Sequence, residues 1–130
     1  MMLTIDRSTR LHDIQLAFTN AFAYLKLEFL KGGAGSPSLK KIFRLPGEAA
    51  LGKGVRDGIV EICIEKESKV YEVEKAFRAV GLPVQVFRKS GDHWIETSLT
   101  SDWTLDQQNK EAEIFSAVLN MAPRTQVGPL

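Results

Sequence analysis

The sequence predicts an α+β protein: a ferredoxin-like βαββαβ two-layer sandwich carrying an added C-terminal β-hairpin strand and a third helix. Three observations lead there. The apolar residues from Met2 to Leu30 follow a strand, a helix and a strand in turn, and the same succession returns from Ile59 to Arg88. After Arg88 a glycine turn, a further strand pattern and a capping-box sequence extend the chain by one hairpin and one helix. Two strand-helix-strand units in series place helices on one face of an antiparallel sheet.

Met2 to Ile5 forms a short apolar strand that ends in Asp6-Arg7-Ser8-Thr9. Leu11, Ile14, Phe18, Ala21 and Phe22 then recur at helical steps, with Thr9 as the expected N-cap. In Leu25-Lys26-Leu27-Glu28-Phe29 the period drops to two, as in a half-buried strand. Residues Lys31 to Gly58 contain seven glycines and two prolines, which disfavour a continuous helix or a central strand. A connection of this length within a domain is expected to be functional or mobile.

Ile59 to Glu65 is the next strand, with Val60, Ile62 and Ile64 inward. Ser68 is the expected cap of a second helix whose face is Val70, Val73, Phe77 and Val80, and Gly81 with Pro83 stops it. Leu82 to Arg88 follows as a strand. With Ser90-Gly91 as a two-residue turn, Arg88 faces His93, Phe87 faces Trp94, Val86 faces Ile95 and Gln85 faces Glu96. Thr104-Leu105-Asp106-Gln107 opens the third helix as a capping box, and Leu105, Ala112, Phe115 and Leu119 mark its apolar stripe. Residues 1–119 are thus expected to make a single domain, and residues 120–130 a frayed tail.

The bulk numbers narrow the function classes. The chain has 130 residues, 44% hydrophobic and 25% charged, which suits one globular domain. A net charge of +1 lacks the basic excess of a domain built to grip nucleic acid backbone. With one cysteine and two histidines, neither an intramolecular disulfide nor a His/Cys zinc site is expected, and no cofactor is predicted. The N-terminal residues acquire charge at Asp6 and Arg7 before a signal-peptide core can form, and no apolar run is long enough to span a membrane. A cytoplasmic address is the expectation.

Several motifs carry residue types that chemical sites use. Gly47 to Gly54, GEAALGKG, approaches a phosphate-binding loop but places Gly54 where the magnesium-binding hydroxyl belongs. Cys63 lies between Ile62 and Ile64 without an activating neighbour and reads as an inert, partly buried thiol, and His12 as solvated. Asp92, His93, Glu96 and Asp102 offer the residue types of a metal site or an acid/base pair, with Asp92 better explained as a turn residue and Asp102 as part of the entry to the third helix. An odd spacing on a strand, however, sends His93 and Glu96 to opposite faces. No catalytic residue is therefore assigned.

The more informative surface is the sheet face carrying Gln85, Phe87, Trp94 and Glu96. Aromatic groups beside polar ones are typical of recognition surfaces, and cover by the third helix is the structural alternative. A weaker, anion-binding group comprises Lys40, Lys41 and Arg44 with Arg88 and Lys89.

VQVFRKSG-x-x-W-x-E-T followed by WTLDQQN resembles a segment of a family of small uncharacterised bacterial proteins. The resemblance implies a bacterial cytoplasmic domain and carries over no known function. The function expected from the residues is a noncatalytic protein-interaction or self-association module, with a homodimer or a protein partner, acting through the face around Phe87 and Trp94. Nucleic-acid or anion binding through the basic 31–58 connection with Arg88 and Lys89 is the alternative, and an enzyme using His93 comes third.

Overall fold

The computed structural model describes residues 1–6, 8–30 and 59–121 and is an α+β structure. In chain order its elements are β1 (Met2–Ile5), α1 (Leu11–Ala21), β2 (Leu25–Phe29), β3 (Val60–Cys63), α2 (Val70–Ala79), β4 (Val84–Ser90), β5 (His93–Glu96), a 3-10 turn at Ser98–Thr100 and α3 (Leu105–Met121). The Gly-rich connection, its phosphate-loop-like sequence and Lys40, Lys41 and Arg44 lie outside the described residues, as does the tail beyond Met121.

The order of elements is the one the periodicities predict, but the strand pairing differs. Among the described residues β1 pairs only with β3, while β2, β4 and β5 form a separate antiparallel sheet in that order. The β1–β3 neighbourhood belongs to a ferredoxin-like sheet. The β2–β4 neighbourhood does not, because those two strands are the outer ones of that arrangement. Alternation fixes which face of a strand is buried and says nothing about which strand lies beside it. Here Leu27 pairs with Val86 and Phe29 with Val84, so both strands bring their apolar positions to one face.

A common core joins these elements. Ile5, Leu11, Ile14, Phe18, Leu25, Leu27 and Phe29 from the first half meet Ile62, Ile64, Val70, Val73, Phe77, Val84, Val86 and Leu105 from the second. Phe29 and Phe77 meet edge-on at 6.0 Å between ring centroids. Of the expected helix faces, only Ala21 and Val80 escape full burial in α1 and α2.

Two expected caps are corrected. Arg10, not Thr9, is the N-cap of α1, because Thr9 Oγ1 accepts the Asp6 amide within a tight turn. Lys69, not Ser68, is the N-cap of α2, and its amide donates to Glu72 Oε1 at 2.8 Å. Ser68 Oγ accepts the Glu65 amide, and the Ser68 carbonyl accepts the Leu105 amide. The third cap stands as expected: Gln107 N–H donates to Thr104 Oγ1 and Thr104 N–H to Gln107 Oε1.

Candidate functional site

The β4–β5 hairpin is the part of the fold that carries most of the predicted site residues. Its register is two residues away from the expected one. Ser90 pairs with His93, Lys89 with Trp94, Arg88 with Ile95 and Phe87 with Glu96, so the turn is Gly91-Asp92 instead of Ser90-Gly91. Gly91 at φ 66° occupies the first central position, where a hairpin turn with positive φ favours glycine. A slip of two keeps every side chain on its predicted face.

Gln85, Phe87, Trp94 and Glu96 consequently do share the outer face, together with Lys89 and, from β2, Lys26 and Glu28. Phe87 is buried and Trp94 half-buried. Lys26 Nζ lies 4.8 Å from the Trp94 ring centroid, 5.7 Å from that of Phe87 and 3.1 Å from Glu28 Oε2. Lys89 Nζ adds a second cation 6.0 Å from the Trp94 ring. The outer face is thus a cation-capped aromatic patch. The charge of Lys26 is visible in the β2 alternation, but its place over Trp94 depends on β2 lying beside β4, which the sequence does not display.

Third-helix cover of this pair is not what the structure shows. Arg88, on the opposite face from Phe87, donates from Nη1 to Gln108 Oε1 on α3 at 2.9 Å, which sets α3 against the core side of β4. The Arg88 guanidinium also lies 5.5 Å from the Trp103 ring centroid. Arg88 and Lys89 therefore point to opposite sides of the sheet, and Arg88 is engaged inside the fold. Gln108, fully buried, completes the connection by donating from Nε2 to the Thr100 carbonyl and hydroxyl at 2.9 and 2.7 Å.

The other chemical candidates have simpler settings. Asp92 and His93 stand at the hairpin tip, 3.3 Å apart, with side chains 92% and 82% exposed, while Glu96 lies on the opposite face from His93. Such exposure gives neither group a desolvated pocket in which to act. Cys63 is exposed, not partly buried, and its hydrogen bond to Glu65 pushes the thiol up from its ordinary value, away from the reactive thiolate. His12 is exposed.

A cleft of about 150 Å³ lies between α3 and the hairpin, lined by Arg88, Lys89, Ser90, Glu111, Ala112 and Phe115. It is smaller than the pockets that take ligands of ordinary size. Among the described residues no group of three or more His, Cys, Asp or Glu side chains is placed to hold a metal ion. None of the helices there is long and apolar enough to cross a membrane.

No protein-family model, curated protein or solved structure matches the chain. The site must be read from its own geometry.

That geometry contains two features the residue patterns did not separate. One is Glu74 of α2, whose Oε2 accepts the Val86 amide at 3.0 Å and Gln85 Nε2 at 3.3 Å. Burial pushes its carboxyl above the ordinary value, against the opposing effect of the Val86 hydrogen bond. The other is the far half of α3. Leu105, Gln108 and Ala112 are buried, but Phe115 and Leu119 of the predicted stripe are 46% and 41% exposed, next to Ile114 and Val118 at 58% and 56%.

Proposed function

We propose that this protein is a noncatalytic protein-interaction module. The observation that carries the reading is the far half of α3, where Ile114, Phe115, Val118 and Leu119 leave large apolar side chains in solvent at adjacent positions of one helix. A contiguous apolar patch of this kind marks an interaction surface in a folded protein. A helix of this type is read by its partner through anchors spaced by three and four residues, and Phe115, Val118 and Leu119 have that spacing. Membership of the small bacterial proteins that the QVFRKSG and WTL segments resemble, and a cytoplasmic address, belong to the same proposal.

The outer face around Phe87 and Trp94 takes a narrower part in it than the residue pattern implied. Phe87 is buried and Gln85 is bound to Glu74, so Trp94, Glu96 and Lys89 are the groups left to meet a partner there. Exposed Asp92 and His93 at the hairpin tip do not favour an enzyme.

The test is a photo-crosslinking amino acid at position 118 of the full chain in cells, with the same group at exposed position 12 as the control. Discrete protein adducts at 118 and none at 12 are expected. Equal labelling at both positions, or none at 118, would count against the reading.

A further inference from the structure

The outer edge of β5 points to a second copy of this chain as the partner, an inference that rests on the interaction-module reading and names where and how the copies meet. In the β4–β5 ladder, Arg88 faces Ile95 and Ser90 faces His93, and the next amide on that side, Thr97 N–H, donates to the Val86 carbonyl. The backbone groups of His93, Ile95 and Thr97 are therefore directed at β4. Those of Trp94 and Glu96 are directed the other way. Among the described residues no strand pairs with that side. An unpaired edge offers a template for strand addition.

We propose that two copies join edge to edge across a two-fold axis at Ile95, extending each three-stranded sheet into one six-stranded sheet. In an antiparallel self-pairing the two partners must sum to a constant, and the outward groups of Trp94 and Glu96 must meet each other. Three registers allow this. Centring on Glu96 sets two carboxylates directly opposite one another. Centring on Trp94 sets Glu96 opposite Asp92 of the other copy. Like charges directly opposite destabilise a strand pair. Centring on Ile95 avoids both and sets Trp94 of each copy opposite Glu96 of the other, with four backbone hydrogen bonds between them.

Charge complementarity supports this register. On the outer face, one row then runs from Lys89 to Trp94 and on to Glu96 of the other copy, because Lys89 already faces Trp94. The Glu96 carboxylate arrives beside an indole that holds Lys26 and Lys89 within 6.0 Å of its ring centroid. On the inner face Ile95, 38% exposed in the single chain, meets its own copy at the closely spaced, non-hydrogen-bonded position. Such an interface is isologous, so each favourable contact occurs twice.

Sedimentation velocity on the full chain, over a concentration series, tests the proposal. A concentration-dependent dimer is expected. Ile95→Lys should weaken it at least tenfold by placing two ammonium groups on the axis, at a position exposed enough for the single chain to keep its far-UV circular dichroism. Glu96→Lys should weaken it comparably, and Lys89→Glu combined with Glu96→Lys should restore it. This charge swap decides the matter if Ile95→Lys does not fold. Wild-type chain that stays monomeric throughout, or a dimer unaffected by Ile95→Lys and Glu96→Lys, overturns the proposal. A dimer lost on Val118→Lys but kept in the β5 variants also overturns it, while leaving α3 as an interaction surface.

Discussion

Lys69 and Thr104 face each other in an isolated antiparallel bridge, and they are the N-caps of α2 and α3. The two helix starts satisfy one another. Val70 and Tyr71 amides donate to the Trp103 and Ser101 carbonyls, and Leu105 and Asp106 amides donate to the Ser68 and Lys66 carbonyls, all between 2.8 and 3.0 Å. First-turn amides have no partner within their own helix, so this exchange supplies acceptors to both ends at once. It also ties α3, which follows the hairpin, to α2, which precedes it.

Thr104→Ala should therefore disturb two helices. Loss of the hydroxyl that accepts Gln107 N–H is expected to destabilise the fold by about 1 kcal/mol, the usual size of a lost N-cap. Amide hydrogen exchange supplies the check. Exchange should accelerate at Val70 and Tyr71 as well as at the start of α3. Faster exchange confined to α3 would mean that the bridge does not couple the helix starts.

Gln108 links β4, α3 and the segment before α3 through Arg88 and Thr100. Gln108→Leu puts an apolar side chain of similar size in its place but leaves these groups without their partner, at an expected cost of roughly 1–3 kcal/mol. In an Arg88→Leu background the same change should cost less, because one orphaned group is already gone. Denaturant melts of the four proteins measure the coupling. Strict additivity would show that the Arg88–Gln108 contact contributes nothing.

Glu74 titrates in the opposite sense from a salt-bridged acid. Its folded-state value is raised, so the folded chain binds the proton more readily than the unfolded chain. Its contribution to stability is thus greatest at low pH and declines as pH rises from the ordinary glutamate range through the raised value. Both of these hydrogen bonds end on Oε2, which the amide oxygen of glutamine can replace. Glu74→Gln should flatten this decline and keep or raise stability at pH 7. Glu74→Ala should lose about 1–3 kcal/mol by stranding the Val86 amide. Melts at several pH values decide it; a wild-type decline that persists unchanged in Glu74→Gln would locate the titration elsewhere.

The sequence made the strand and helix faces legible because burial imposes a period on each. Leu25, Leu27 and Phe29, or Val70, Val73 and Phe77, could be assigned inward without knowing what they touch. Pairing is different. That β2 lies beside β4, placing Lys26 over Trp94, follows from how whole strands match, and no local pattern records it. The hairpin shows an intermediate case: Ser90-Gly91 and Gly91-Asp92 are both reasonable turns, and a slip between them preserves each residue's face, so alternation cannot choose. On α3, Phe115 and Leu119 keep the period of Leu105 and Ala112 but stand exposed. Periodicity marks an apolar stripe and does not say whether its cover lies in the same chain.

What does choose the turn is Gly91, with its φ of 66° and a neighbour that leaves little room. A Cβ there would stand 3.2 Å from Leu119 Cδ1. Gly91→Ala therefore meets backbone strain and a tight contact together, and roughly 1–2 kcal/mol of destabilisation is expected from the backbone alone. Leu119→Ala separates the two, since it removes the contacting methyl groups from a side chain already 41% exposed. In thermal melts, Gly91→Ala should remain destabilising in the Leu119→Ala background, with only the smaller, steric part relieved. If the cost vanished there, contact with α3 would be the constraint that reserves this position for glycine; if Gly91→Ala cost nothing in either background, the turn would not be what sets the register.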